Sequence, residues 1–249
     1  MIKDVYICKA YMKYILITKN LFLKNMNKDE LKSLMCIPAD AKDVKYTFAK
    51  IADIIENYCV IRYNEKRYRI IDFEFYFYNK MHQDITVHPR NSEALCWYIN
   101  EFGGIDLNFE SKNIEKTIVE KKGKVSFKYR MEDNSYYGGI LIRQIQDVDN
   151  KTIFDGPLKV AELFRILDAT SQNQNNPVLE IDQSLEKINF ANKKRHNLLG
   201  SKKDSRAKVD YNVKEWFTED FNLDKGKLIE KLDILKESED YRFCYIPKP

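Results

Sequence analysis

The chain has 249 residues, enough for one large domain with a sizeable core or for two small domains. It is 44% hydrophobic, 32% charged and 13% aromatic, a globular composition that excludes a disordered or low-complexity chain. The net charge of +4 and the pI of about 8.6 are compatible with a nucleic-acid partner without requiring one, because dedicated binders often exceed a pI of about 9.

Cysteine and histidine usage bears on compartment and metal content. The five cysteines are scattered and form no CxxC pair, which is typical of reduced thiols in a cytosolic protein. Three histidines argue against a multi-histidine metal site. The apolar stretch over residues 6–17 is interrupted by Lys9 and Lys13, too polar for a signal peptide and too short to span a bilayer. We therefore expect a soluble, cytoplasmic protein with no membrane attachment.

The first third of the chain predicts helices followed by a hairpin. Residues 1–42 are expected to form a helical N-terminal extension, in which Asn27 caps a helix that stops at Pro38. A second helix is predicted over 46–58, because its apolar residues recur on one helical face. Residues 59–78 then predict two strands joined by a tight turn at 64–66.

The remainder adds further strands and one more helix. Residues 123–131 alternate with period two and predict a strand, and residues 136–148 predict another, entered through two glycines. A helix is predicted from Pro157, since proline suits the first helical turn. Residues 241–247 predict a closing strand. Many strands with few helices, in irregular order, indicate an α+β fold with a mostly antiparallel sheet.

Two carboxylates, Asp72 and Glu74, lie on one side of the second hairpin strand among aromatic residues. In the simpler interpretation, Glu74 is a strand-edge carboxylate paired with an arginine. In the other, burial beside Phe73, Phe75 and Tyr76 raises its pKa and makes it a general base.

Three polar residues, His82, Asp84 and His88, follow within seven positions. They offer no fourth ligand and no structural zinc spacing, so we predict a polar loop that lines a pocket, and proton transfer by one histidine is an alternative. Arg143 closes an apolar strand, where it either faces solvent or binds a phosphate or carboxylate.

A basic segment covers residues 193–208, with seven Lys or Arg among its sixteen residues. It is either a solvated loop or a surface that follows a phosphate backbone. The basic residues expected to contact DNA in the second case are Arg90, Lys193, Lys194, Arg195, Lys202, Lys203 and Arg206.

Six short segments, in order, resemble the methylpurine-DNA glycosylase family over roughly residues 46–246. The stretch "FAKIADIIENY…RIIDFEFY" is similar to the family's helix and its hairpin ending R-I-V-E-T-E-A-Y. "HPRN" resembles T-P-R-N, and "GGIDLNF" resembles Y-G-M-x-x-x-x-N. "GGILIR" is similar to G-x-x-L-L-R, "DGPLKVAELF" to the G-P-x-K-L helix start, and "YRFCYI" to the closing R-F-Y-V strand.

The resemblance implies roles for individual residues. Glu74 falls on the family's water-activating glutamate and Tyr76 on its base-stacking tyrosine. Asn108 falls on a pocket asparagine, and Arg143 on the active-site arginine. His82 would take the place of the stacking histidine. The family's tyrosine wedge has no clear counterpart, so Phe102 or Ile105 would have to fill the gap that a flipped nucleotide leaves.

On this basis we expect a glycosylase-like α+β domain over residues 43–249, with a curved, mostly antiparallel core flanked by helices. The implied activity is hydrolysis of the N-glycosidic bond of alkylated or deaminated purines in damaged double-stranded DNA, by base flipping and a Glu74-activated water, as in base excision repair. It needs no metal or organic cofactor. We expect a monomer, associated with the nucleoid if it acts on DNA. The alternatives are a hydrolase of a free nucleotide or nucleoside, and a catalytically inactive nucleotide-binding module on the same fold.

Overall fold

The structure is a computed structural model that describes residues 27–84, 86–100, 103–121, 124–164, 176–195 and 240–246. These ranges contain helices α1 (Lys28–Leu34), α2 (Val44–Tyr58) and α3 (Pro157–Phe164). Their strands are β1 (Cys59–Tyr63), β2 (Lys66–Tyr78), β3 (Trp97–Ile99), β4 (Ile105–Asn108), β5 (Lys112–Lys121), β6 (Lys124–Asp147), β7 (Ile153–Asp155), β8 (Val178–Ile181), β9 (Phe190–Lys193) and β10 (Arg242–Tyr245). Phe102, Lys202, Lys203 and Arg206 lie outside the described residues, as do residues 1–26.

The strands form one curved, antiparallel sheet. Its main path runs β3-β4-β6-β2-β1-β8, with β5 and β7 on β6, and β10 between β2 and β9. The predicted α+β class with an antiparallel core is therefore confirmed. None of the described helices has the length and apolar composition needed to cross a membrane.

The predicted hairpin and helix start are also confirmed. β1 and β2 pair directly, and the turn between them places Asn64 and Glu65 at φ of 47° and 63°. Two left-handed residues in a two-residue turn match the right-handed twist of the flanking strands. Asn27 accepts a hydrogen bond from the backbone of Glu30, whose side chain accepts one from the Asn27 backbone in return.

The prediction of separate strands over residues 123–131 and 136–148 is wrong. Both belong to the single strand β6, whose first half pairs with β5 and whose second half lies between β2 and β4. The glycines do not start a strand. A Cβ on Gly138 would lie 2.2 Å from the backbone oxygen of Tyr76, so glycine is required where β6 approaches β2 closely.

The aromatic residues of β2 form the core on one face of the sheet. Phe73, Phe75 and Phe77 are fully buried, and Phe48 of α2 stacks on Phe75 with ring centroids 4.5 Å apart. These three residues lie on the face opposite Asp72 and Glu74, as the period-two alternation of a strand requires.

The chain before residue 43 contributes to the same core. Leu31, Met35 and Ile37 are buried in one hydrophobic cluster with Phe48 of α2. In the described part of the predicted N-terminal extension, the helix α1 is seven residues long and packs against α2.

Candidate functional site

The face of the sheet opposite the aromatic core carries aligned polar residues. Glu74 of β2 lies opposite Leu141 of β6, which lies opposite Asp106 of β4. Two positions along, Tyr76, Gly139 and Asn108 are aligned in the same way. Because directly opposed residues in an antiparallel sheet project to the same side, two rows of side chains share this face.

Glu74 is the centre of this arrangement. Its side chain is fully buried, and Oε2 accepts a 2.7 Å hydrogen bond from the hydroxyl of Tyr76. Arg143 Nη1 donates to the same oxygen at 3.3 Å, and Arg242 Nε lies 3.6 Å from Oε1. The carboxylate is thus paired with arginines, as in the simpler interpretation, and it is fully buried within the sheet rather than at a strand edge. Arg143 remains 16% exposed and reaches solvent.

Asp72 is held on the same face by Arg242. Arg242 Nε and Nη2 donate to its two carboxylate oxygens at 3.0 and 2.6 Å. The pairing of β2 with β6 shifts register on both sides of Asp72, between Ile70 and Phe73, as at a β-bulge. Arg242 was not among the residues predicted to form the site. Arg242 begins β10 and lies directly opposite Glu74. The predicted closing strand over residues 241–247 contains it, and this strand was the one feature of the sequence that could have indicated its role.

Tyr76 has one ring face occupied. The guanidinium of Arg195 lies 4.6 Å from its ring centroid and 4.7 Å from that of Tyr241. Burial, reinforced by Glu74, raises the pKa of Tyr76 well above its ordinary value. The phenol is therefore a permanent donor to Glu74 at neutral pH, and a stacking ligand has only the other face of the ring.

Arg195 is fixed by a buried ion pair with Asp84. Both side chains are fully buried, and Nη1 donates to Asp84 at 2.7 Å and to the backbone oxygen of Phe75 at 3.1 Å. Burial acts to raise the pKa of Asp84, but Arg195 and Thr86 hold it below its ordinary value. Arg195 is not the surface residue that was expected to contact DNA, because burial removes it from solvent.

The two described histidines do not join this cluster. His82 packs among Phe48, Phe77 and Tyr241 on the core side, and burial lowers its pKa. His88 Nε2 lies 3.0 Å from the hydroxyl of Tyr129. Within the described ranges, no three His, Cys, Asp or Glu side chains are arranged to hold a metal ion.

A second polar cluster is built around Arg90. Its Nε donates to Asn108 at 2.9 Å, Nη2 to Asp106 at 3.1 Å and Nη1 to the backbone oxygen of His88 at 3.3 Å. The guanidinium also lies 4.2 Å from the ring centroid of Tyr98. Arg90 was expected to contact DNA, but it is 8% exposed and positions Asn108 instead.

Gly139 separates the two clusters. It lies between Tyr76 and Asn108, and a Cβ here would meet Arg90 Nη2 at 2.6 Å and the Asn108 side-chain oxygen at 3.2 Å. Glycine is therefore required where the Arg90 and Asn108 side chains pack over β6. In the basic segment over residues 193–208, the structure describes Lys193 and Lys194 as exposed residues.

Comparison with known proteins leaves the family open. No protein-family model matches the chain, and no solved structure matches it. The chain is similar to the uncharacterized protein L759 of Acanthamoeba polyphaga mimivirus, with 27% identity over 146 residues. That match covers 55% of this chain and 68% of the relative.

Proposed function

We propose that this chain hydrolyses the N-glycosidic bond of a modified purine, as a divergent protein of the methylpurine-DNA glycosylase type. The observation that carries the proposal is the contact of the buried Glu74 carboxylate with both Tyr76 and Arg143. These are the residues that the family resemblance assigns to water activation, base stacking and the active-site arginine.

In the proposed mechanism the target nucleotide is flipped out of the duplex and stacks on the face of the Tyr76 ring opposite Arg195. Glu74 accepts a proton from the attacking water and stabilises positive charge that develops at the sugar C1′. Arg143 and Tyr76 hold the carboxylate in place, which is the task of preorganised donors in such sites. Asn108, fixed by Arg90 and by a 2.7 Å hydrogen bond to Ser92, contacts the purine edge.

The charges of the side chains around Glu74 bear on which modified base the site would accept. The carboxylates of Asp72, Glu74 and Asp84 are matched by the guanidinium groups of Arg143, Arg195 and Arg242. A balanced cluster gives no net attraction for a cationic alkylated base, so neutral hypoxanthine and ethenoadenine belong beside 3-methyladenine in the assay.

We predict that Glu74→Gln lowers base release by at least about 10²-fold, because it removes the general base and keeps the side-chain volume. The measurement is base release from duplex oligonucleotides that carry one of the three bases, with DNA binding followed separately. DNA binding by the variant should persist, since Glu74 is not proposed to contact the DNA backbone.

The matched control is Glu180→Gln, the same substitution at a carboxylate that pairs with Arg62 in the neighbouring strand. This variant should retain wild-type release. Wild-type turnover in Glu74→Gln would exclude Glu74 as the base.

One observation favours a nucleoside or nucleotide hydrolase as the second candidate. Arg90 and Arg195 are buried in ion pairs, which leaves Lys193 and Lys194 as the exposed members of the expected DNA surface among the described residues. Hydrolysis of free nucleosides by the wild type, with no release from any duplex, would select this candidate. Loss of both activities with retained nucleotide binding would select a binding module.

A further inference from the structure

Arg69 is a buried cation without a carboxylate partner in the described part of the chain. Arg90 and Arg195, the other buried arginines there, form ion pairs with Asp106 and Asp84. Arg69 is 6% exposed and donates from Nη1 and Nη2 to the backbone oxygens of Glu186 and Glu56, each at 2.5 Å. Its Nε is buried and has no hydrogen-bond partner among the described residues.

This arrangement leaves positive charge uncompensated. A charge removed from water costs free energy unless an opposite charge replaces the lost hydration. Burial lowers the pKa of Arg69, as expected for such a cation. Burial and the nearby Asp53 raise the pKa of Glu56 to about 8, so that carboxyl is protonated at neutral pH, and Glu186 is exposed and screened by solvent.

Arg69 lines a cavity of about 490 Å³, a size that suits a small-molecule ligand. Two further cations, Arg67 and Lys151, line the cavity together with two carboxylates, Asp182 and Glu186. Arg67 is already paired with Asp182 at 2.8 Å, which leaves Arg69 and Lys151 as the cations available to a ligand. The cavity is separate from the Glu74 cluster, since Arg69 lies five residues before Glu74 in β2, roughly 15 Å along a strand.

We propose that this cavity binds a phosphate group through Arg69 and Lys151. Phosphate fits because its several strong acceptor oxygens match the buried Nε donor and its charge compensates more than one cation. A free nucleotide and a nucleic-acid backbone both supply this chemistry. The site goes beyond the proposed glycosidic hydrolysis and requires neither Glu74 nor base release.

The test substitution is Gln146→Glu. Gln146 lies directly opposite Arg69 in the paired strands, and its amide makes only a 3.3 Å hydrogen bond to the Lys151 backbone oxygen. The new carboxylate would supply the missing anion from within the protein. The variant should therefore fold with an unchanged or raised Tm while phosphate loses its site.

Calorimetric titration of the full chain with inorganic phosphate, at constant ionic strength, is expected to show one saturable site. Gln146→Glu should weaken this binding by about tenfold or more, the effect expected for a charge-assisted contact. Gln183→Glu, the same change at an exposed residue that does not line the cavity, should bind phosphate like the wild type. Absence of a saturable site in the wild type, or equal affinity in Gln146→Glu, would overturn the proposal.

Two further titrants identify the source of the phosphate. Tighter binding of adenosine monophosphate than of inorganic phosphate indicates a free nucleotide. Competition by an undamaged duplex oligonucleotide, with no gain for the mononucleotide, indicates a nucleic-acid backbone. Glu74→Gln should leave all these affinities unchanged, so failure of the proposed hydrolysis and failure of this site are distinguishable.

Discussion

Asp72 and Glu74 share a strand, a face and the partner Arg242, yet their surroundings differ. Asp72 receives both donors of the Arg242 fork. Glu74 lies in addition against the Tyr76 hydroxyl and Arg143. At the residue scale, these contacts give Asp72 a structural role and give Glu74 the chemistry of the proposed reaction.

Asp72→Asn is expected to lower the free energy of unfolding by about 2–4 kcal/mol, because it removes the carboxylate that accepts both hydrogen bonds of the largely buried Arg242 and leaves it only the 3.6 Å contact with Glu74. Base release under saturating substrate should be retained, since Asp72 does not contact the reacting groups. Urea unfolding and the duplex assay measure the two effects. Loss of release in a folded Asp72→Asn protein would contradict this division of roles.

The pairing of β2 with β6 determines the site at the scale of elements. Their register brings Tyr76 opposite Gly139 and Glu74 opposite Leu141, and β10 adds Arg242 beside Glu74. A one-residue slip would move every side chain of β2 to the other face, and the carboxylates would then enter the aromatic core.

The two adjacent glycines of β6 should respond differently to alanine. Gly138→Ala places a Cβ 2.2 Å from a backbone oxygen of β2, which cannot move without separating the strands, so we expect a loss of about 3 kcal/mol or more. Gly139→Ala instead meets the end of the Arg90 side chain at 2.6 Å and should cost about 1–2 kcal/mol.

Urea unfolding of both variants measures this difference, and each serves as the control for the other. Equal losses would show that Arg90 is as immovable as the strand backbone. Under the proposed function, Gly139→Ala should also reduce purine binding, because its methyl group displaces Arg90 and Asn108, and Asn108 is proposed to contact the purine edge.

The whole molecule is a curved sheet with two unlike faces. One face packs aromatic residues against α2, and the other carries the Glu74 cluster and the Arg69 cavity. Because ionisable groups are buried in this fold, the free energy of unfolding depends on pH. For His88, burial and the nearby Arg90 lower the pKa from 6.5 to about 4.

Between pH 6.5 and 4 the unfolded chain binds a proton at residue 88 that the folded chain does not. The free energy of unfolding should therefore fall as the pH is lowered through this window, by about 2–3 kcal/mol from His88. Relative to the wild type, His88→Gln should remove this contribution in urea unfolding at several pH values. Two other contributions should remain: His82, whose pKa is lowered by burial, acts in the same direction, and Glu56, whose pKa is raised to about 8, stabilises the fold as the pH falls from 8 to 4.5. An unchanged slope would contradict the assignment to His88.

Local patterns predicted much of the fold. The capping at Asn27, the helix before the hairpin, the buried Phe73, Phe75 and Phe77, and the closing strand all follow from periodicity and turn chemistry within short windows. The continuity of β6 could not be predicted in this way, because two adjacent glycines in a sequence usually indicate the start or end of a strand. Their presence inside β6 is explained only by the close approach of β2.

By itself, the sequence determined the alternation of β2, and with it the face on which Asp72 and Glu74 lie. Tertiary structure alone decided their partners, since Arg242 is 170 residues from Asp72, and Arg195 is 111 residues from Asp84. It also decided that Arg90 and Arg195 are buried, whereas a basic residue in sequence is typical of the surface. The physical reason is that burial and ion pairing depend on contacts between distant segments, which no local pattern encodes.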